Sequence, residues 1–285
     1  MSSERGVSLT VTLIARDEED RLPTALASVA WADEIVVVVD AATTDRTVEI
    51  AEGAGARVLV RTFDGFGPQK NAAAALAAHR WILSIDADEI VSSRLAQEIR
   101  SRLDALAAEK NPPAAFRVPI RLEFLGRELQ FGRDTVVRPA RLYDRTRARF
   151  SEDPVHEKVL ANGPVEALDE SILHRSYRDL AHYLEKLDRY TTLAAEAKWA
   201  ARKAPVPLLP LRVAWEFFDR AFLRLGVLDG TAGLTFAALS TANTLLKYLK
   251  LRELERAIAD GTRLPPVNAR AEDTAVLRIR ALTRT

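Results

Sequence analysis

The chain of 285 residues contains no cysteine. That excludes disulfide bridges and thiolate metal sites, and it fits a cytoplasmic protein. No uninterrupted apolar run reaches the roughly 18–20 residues needed to cross a bilayer. The opening residues Met1-Ser2-Ser3-Glu4-Arg5-Gly6 are polar and lead directly into a strand, so no signal peptide is expected. Charge of one sign is also missing. The 41 basic residues balance the 40 acidic ones to a net +1, which leaves no global field to attract nucleic acid. No internal repeat and no low-complexity tract interrupts the chain. What is there is a 48% hydrophobic, 28% charged composition, enough to bury a sizeable core. The length suits one large domain, or one domain with a helical appendage.

The most informative stretch is Trp81-Ile82-Leu83-Ser84-Ile85-Asp86-Ala87-Asp88-Glu89. A short apolar strand runs straight into two acids one residue apart. A strand buried on both faces cannot hide a carboxylate without a positive partner, so Asp86 and Asp88 are expected where the strand leaves the core. Open α/β sheets bind ligands at the carboxyl ends of their strands. Residues i and i+2 of an extended segment point the same way, so both carboxylates can face one hard cation that bridges nucleotide phosphates. The plainer alternative is a solvated turn with a helix cap.

The preceding sequence supplies the frame. Val7 to Ala15, Glu34 to Asp40 and Arg57 to Arg61 read as strands. Helices are expected from Leu22 to Val29, after Thr44 or Asp45 as cap up to Gly53-Ala54-Gly55, and from Gly65-Phe66-Gly67-Pro68 through Ala78. Four strand–helix units in about 90 residues predict an α/β fold, with a mostly parallel sheet, helices on both faces and right-handed crossovers. Polar residues end three of the strands: Arg16 and Glu18, Asp40, and the pair Asp86 and Asp88. Gly65 and Gly67 read as turn-formers, Lys70 as a cation able to neutralise a diphosphate or as a solvated lysine, and Asn71 as an ordinary helix-start residue.

Five segments taken together carry a resemblance. They are Ile14-Ala15-Arg16-Asp17-Glu18-Glu19, Trp31 to Asp40, Thr44-Asp45-Arg46-Thr47, Gly65-Phe66-Gly67-Pro68-Gln69-Lys70-Asn71 and Asp86-Ala87-Asp88-Glu89. In order and spacing they resemble family 2 glycosyltransferases of the Rossmann-like GT-A fold, most of all the lipopolysaccharide core β-1,4-glucosyltransferase subgroup, over roughly residues 7–255. The chain departs from that subgroup at Asp17, where asparagine is usual, and at Ala41-Ala42-Thr43-Thr44, where the subgroup's turn carries glycine. Phe131-Gly132-Arg133-Asp134 stands where an aromatic acceptor platform is usual.

The resemblance implies an inverting, metal-dependent hexosyltransferase in cell-envelope polysaccharide synthesis. Its donor would be a nucleotide-diphosphate sugar, most simply a UDP-sugar, and its acceptor a glycan or lipid-linked glycan. It implies nucleotide-sugar contacts from Arg16, Glu18, Asp40, Lys70 and Asp86. It implies Mn2+ or Mg2+ at the Asp-X-Asp pair Asp86 and Asp88, completed by His174. In Asp153-Pro154-Val155-His156-Glu157 it implies Glu157 as the base that takes the acceptor proton, with Asp153 in reserve. The basic stretch containing Arg133, Arg138 and Arg141 is expected to hold a phosphorylated acceptor or the leaving diphosphate, or else to form a solvated strand edge. A nucleotidyltransferase of related fold would place a glycine-rich loop after the first strand, and Ala15-Arg16-Asp17-Glu18-Glu19 has none. The other alternative is a membrane-associated binding or scaffold protein that has kept the fold.

Beyond the first strands, Ser92 to Lys110 reads as a helix, Phe116 to Leu122 and Val136 to Tyr143 as strands, and Leu125-Gly126-Arg127-Glu128 as a hairpin. Asp179 to Lys203 reads as a helix. After it, Leu211, Trp215, Phe218, Phe222 and Leu225 recur at helical spacing with Arg212, Arg220 and Arg224 between them. That is the pattern of a membrane-interfacial helix or of one packed on the catalytic domain. Thr231 to Arg256 is a further helix, too polar to span. The expected domains are residues 1–178 for nucleotide-sugar binding and catalysis, 179–260 for a helical region at the inner face of the cytoplasmic membrane, and 261–285 for a tail. A homo-oligomer stays open.

Overall fold

The computed structural model describes residues 7–153, 157–201 and 208–262. In chain order the elements are β1 (Leu9–Ala15), α1 (Leu22–Ser28), β2 (Glu34–Asp40), α2 (Thr47–Gly53), β3 (Arg57–Arg61), α3 (Phe66–Leu76), β4 (Trp81–Asp86), β5 (Glu89–Val91) and α4 (Ser93–Ala105). Then follow β6 (Ala115–Arg117), β7 (Ile120–Phe124), β8 (Arg127–Glu128), β9 (Val136–Val137), β10 (Ala140–Asp144), β11 (Ala148–Phe150), β12 (Val159–Ala161), β13 (Val165–Ala167) and β14 (Ile172–His174). Three helices end the described chain: α5 (Leu180–Ala200), α6 (Leu209–Phe218) and α7 (Gly230–Ala259). They group into two units, Met1–Arg121 with Val137–Arg175, and Leu122–Val136 with Ser176–Thr285. The expected first domain ran unbroken to residue 178; here the segment Leu122–Val136 groups with the C-terminal helices instead.

The first unit is built on a sheet of order β13-β6-β10-β4-β1-β2-β3. Strands β4, β1, β2 and β3 run parallel, as predicted for a doubly wound sheet, and β10 joins β4 antiparallel. Both faces are covered. Leu9, Val11 and Leu13 of β1 pack with Leu22 and Leu26 of α1 and Leu95, Ile99 and Leu103 of α4 on one side. Val36 and Val38 of β2 pack on Ala73 of α3 on the other. Central strands buried on both faces carry continuous apolar runs rather than alternation, which is why Ile35 to Val39 and Ile82 to Leu83 read as they do. Ser92 caps α4 by accepting a hydrogen bond from the Leu95 amide (3.1 Å), as its position suggested.

Two predicted strands are each broken in two. Phe116 to Leu122 parts into β6 and β7 at Val118-Pro119, and Val136 to Tyr143 into β9 and β10 at Arg138-Pro139. Proline brings no N–H to a ladder, so the pairing lapses at both sites. The Val118 amide finds the Pro139 carbonyl instead (2.9 Å).

At the end of β10, Asp144 is fully buried and accepts from Arg80 Nη2 (2.6 Å), the Thr146 amide (2.9 Å) and the Thr146 hydroxyl (2.7 Å). Burial alone would raise its pKa, but these bonds outweigh it and hold the carboxyl below its ordinary value. A carboxylate depressed in the folded state stabilises the fold above the unfolded pKa and loses that contribution as pH falls through the folded one. Asp144→Asn is therefore expected to cost about 2 kcal/mol at neutral pH. The gap to wild type should close as pH drops below the ordinary carboxylate range, measured by urea unfolding across a pH series.

The second unit opens on a hairpin. Strands β7 and β8 pair antiparallel with Phe124 opposite Arg127, and the two loop residues Leu125 and Gly126 both have positive φ (51° and 73°). That is the twist a two-residue hairpin requires. Asp229 anchors the following segment by accepting from the amides of Gln130 (3.0 Å) and Phe131 (2.8 Å). Leu122, Phe124 and Leu129 pack with Tyr183 and Leu187 of α5 and Ala232 of α7. Tyr248 and Leu251 of α7 pack on Ala195 of α5 and Leu209 of α6.

Candidate active site

The parallel register fixes which strand ends meet. Ile14 pairs with Asp86 on one side and Val38 on the other, so Arg16, Asp40 and Asp86 come to one edge of the sheet, Asp40 still paired with Arg61. Asp40 is buried; it accepts from the Ala42 amide (3.0 Å) and lies 3.4 Å from the half-exposed Arg16 guanidinium. Glu18 lies near Arg21 (3.6 Å), and its amide donates to Thr47 Oγ1 (2.8 Å). The glycine-free turn after β2 is held from outside. Asp17, in the left-handed region at φ 51°, accepts from the Thr44 amide (2.8 Å) and hydroxyl (3.2 Å). Asparagine and aspartate both tolerate that backbone, so aspartate can stand at an asparagine position without strain.

The acids after β4 sit in a cage of cations. Asp86 lies 2.8 Å from Lys70 Nζ and 3.1 Å from Arg141 Nη2. Arg141 also donates to Glu89 (2.7 Å). Asp88 meets Arg21 Nη1 (3.1 Å) and His174 Nε2 (3.2 Å). Strand pairing explains the histidine: β14 runs antiparallel to β5 with His174 opposite Glu89, and the Asp88 carbonyl accepts from the Arg175 amide (2.9 Å). Burial would raise the pKa of Asp88, but His174 and then Arg21 overcome it and hold the carboxyl low. Burial would lower the pKa of His174, and Asp88 outweighs it and holds the imidazole above its usual value. Glu89 is pushed up by burial, only partly relieved by Arg141.

Lys70 joins this cage to the stretch that carries the expected base. It is 2% exposed, yet its ammonium lies 2.8 Å from Asp86 and 3.6 Å from Glu157. The contact depends on how α3 approaches β11. Asn71 brackets Phe150, donating to its carbonyl (3.0 Å) and accepting from its amide (2.9 Å). Gly67 is not a turn-former but a point of close backbone approach within α3, where a Cβ would collide with the Ser151 carbonyl. Gly65, at φ 127°, is the residue that needs glycine's freedom to start the helix. Gly67→Ala should therefore destabilise the fold by about 1–3 kcal/mol. It should also lower activity further than stability accounts for, because it pushes β11 away from Lys70. Urea unfolding and activity assays well below the melting point separate the two effects.

The remaining expected residues fall elsewhere. Asp153 and Arg138 are exposed, and His156 lies outside the described residues. Arg133 belongs to the second unit, where it lies 4.0 Å from Asp134 and from Asp219. Arg141, expected on an acceptor or phosphate, is instead buried against Asp86 and Glu89. Sequence reasoning missed Arg21 and the burial of Glu89. The available signal was the run of acids before α1, which needs a cation nearby, and the position of Glu89 at the start of a buried strand.

The side chains expected to hold a metal are already paired in this structure. Asp88 Oδ2 lies 3.2 Å from His174 Nε2 and 3.1 Å from Arg21 Nη1, and Asp86 lies against Lys70 and Arg141. Among the described residues no group of three or more His, Cys, Asp or Glu side chains is arranged to hold a metal. An ion here would therefore complete its shell with diphosphate oxygens and water, as magnesium commonly does.

Residues 10–109 match the profile of Glycosyl transferase family 2. An uncharacterized glycosyltransferase of Rickettsia bellii is 28% identical over 277 residues, 92% of each chain. Another from Rickettsia conorii is 28% identical over 265 residues, 89% of this chain and 93% of that one. Among solved structures, Staphylococcus aureus TarS 1-349 in complex with UDP-GlcNAc aligns at 13% identity with a TM-score of 0.41, covering 97% of this chain and 90% of that one.

Proposed function

The chain belongs to the family 2 glycosyltransferases, and on that premise we propose that its first unit moves a hexose, with inversion, from a UDP-sugar to a hydroxyl of a cell-envelope glycan or lipid-linked glycan. The observation that carries this reading is the convergence of Asp86 and Glu157 on the Lys70 ammonium, which puts a carboxylate base beside the acids of the strand edge.

In this reading Asp40 accepts hydrogen bonds from the base or ribose, with Arg16 and Glu18 beside it. Asp88 and His174 would hold Mn2+ or Mg2+, and Asp86 would touch the ion or the nucleotide. When bound, the ion supplies positive charge to the departing diphosphate. Glu157 takes the proton of the acceptor hydroxyl as its oxygen bonds to the anomeric carbon, while the bond from that carbon to the diphosphate breaks and UDP leaves with the electron pair. Lys70, 3.6 Å from Glu157, holds it in place at the moment of attack. Asp153, exposed, is the reserve.

Calorimetric titration with UDP, and product detection across a panel of UDP-sugars with Mn2+ and a membrane extract as acceptor, tests the reading. Nucleotide binding weakened by Asp40→Ala is the expected result. No binding of any nucleoside diphosphate, with or without the ion, would overturn it.

A further inference from the structure

The second unit turns an apolar surface outward that no catalytic role accounts for. Nine of the 17 large hydrophobic side chains exposed among the described residues fall between Leu208 and Leu228. Leu211, Trp215 and Phe218 share one face of α6, and Phe222 follows four residues on in the π-helical turn Asp219–Leu223. Their exposures are 66%, 62%, 44% and 47%. Trp215 and Phe218 stack at 5.9 Å between ring centroids, and Phe218 and Phe222 at 5.4 Å, so the rings form a continuous ladder rather than scattered residues.

The charges around the ladder are sorted by sign. Glu216 and Asp219 have side chains only 18% exposed and are already paired: Glu216 with Arg220 (3.1 Å), Asp219 with Arg224 (3.6 Å) and Arg133 (4.0 Å). Arg220 is itself buried, between Glu216 and Asp134 (3.2 Å), so it does not face outward as the sequence pattern suggested. The cations that reach the surface are Arg212, and Arg224 at 58% and Arg133 at 46% exposure, the last two over the mostly covered Asp219. The outward face is thus aromatic and aliphatic with a positive rim.

The ladder is also held in place. The Gly132 amide donates to the Arg224 carbonyl (2.7 Å), and a Cβ at Gly233 would collide with the Gly226 carbonyl, so the corner after Leu223 is closely packed. Among the described residues no single helix is long and apolar enough to cross a membrane; Leu209–Leu223 and Gly226–Ala259 pass together but are bent by 67°. Most of α7 is committed to packing on α5, with Lys250 bonded to Asp188 (2.7 Å).

We propose that this face docks flat on an anionic lipid surface, with Trp215, Phe218 and Phe222 at the level of the headgroups and Arg212, Arg224 and Arg133 on lipid phosphates. Aromatic rings flanked by arginine match that interface, which is apolar on one side and negatively charged on the other. The proposal goes beyond the catalytic reading and stands whichever sugar is transferred.

Full-length protein is sedimented with vesicles of phosphatidylcholine alone, or with about 30% phosphatidylglycerol, at about 0.1 M salt. Binding at least tenfold stronger to the anionic vesicles is expected, with full release by alkaline carbonate. Trp215→Asp with Phe222→Asp should lose at least tenfold of that binding, and Arg212→Ala with Arg224→Ala should erase the preference for anionic lipid. Circular dichroism melting confirms that each variant folds, and the arginine pair, being exposed, keeps the test decisive if the first pair does not. Four results would overturn the proposal: no vesicle binding, equal binding to both vesicles, retention after carbonate, or a concentration-dependent dimer broken by Trp215→Asp without vesicle binding. The last would mark the face as a contact between two copies of the chain.

Discussion

Asp88→Asn is expected to lower sugar transfer by roughly 10²–10³-fold, the usual cost of removing one preorganised group that stabilises developing charge. The substitution keeps the shape of the side chain and removes its charge. Arg21 and His174 then face each other across a neutral amide, and the imidazole loses the partner that holds its proton affinity up. Stability should fall too, by about 2–3 kcal/mol, less than for a fully buried pair because Arg21 and Asp88 keep some contact with solvent. Assays well below the melting point separate the losses. If Asp88 and His174 hold one ion, His174→Ala in the Asp88→Asn background should add little further loss, since residues acting as a unit are strongly non-additive. Calorimetry with Mn2+ gives an independent readout: binding present in wild type should vanish in both single variants. Transfer unchanged in Asp88→Asn, or Mn2+ affinity unaffected by either substitution, would remove both residues from the site.

What the sequence made legible follows from periodicity and from position along the strands. The apolar runs of β1, β2 and β4 could only be central strands, and the acids at their ends could only lie at one edge once the strands were parallel. Elements set by local chemistry were also legible: Ser92 as a cap, Leu125-Gly126 as a hairpin turn. The countercharges were not. Lys70 is deeply buried on a helix whose hydrophobic pattern is mostly alanine, and nothing local separates it from a solvated lysine. Arg141 comes from a strand far along the chain and reaches Asp86 only because β10 docks antiparallel on β4. Such pairings are properties of topology, and one sequence read in windows does not contain them. The same holds for Leu122–Val136, whose hairpin was legible but whose membership of the second unit was not.

Glu157 and Asp153 are both candidates for the base of the proposed transfer, and their surroundings differ. Both are carboxylates within a few positions of each other, but the Glu157 side chain is 7% exposed and beside Lys70, whereas Asp153 lies exposed. Glu157→Gln is expected to reduce kcat by roughly 10²–10⁴-fold with KM changed by no more than about threefold, because a base contributes in the transition state and little to donor binding. Asp153→Asn should stay within about threefold of wild type. Lys70→Met removes the charge that ties Glu157 to Asp86, so it should lower kcat and also weaken nucleotide affinity, a signature that Glu157→Gln does not share. Steady-state kinetics on the three variants, with UDP affinity measured alongside, gives three distinct patterns. A large kcat loss in Asp153→Asn beside a near-silent Glu157→Gln would move the base to Asp153. Lys70 would then act on the acids of the strand edge alone, through its 2.8 Å contact with Asp86.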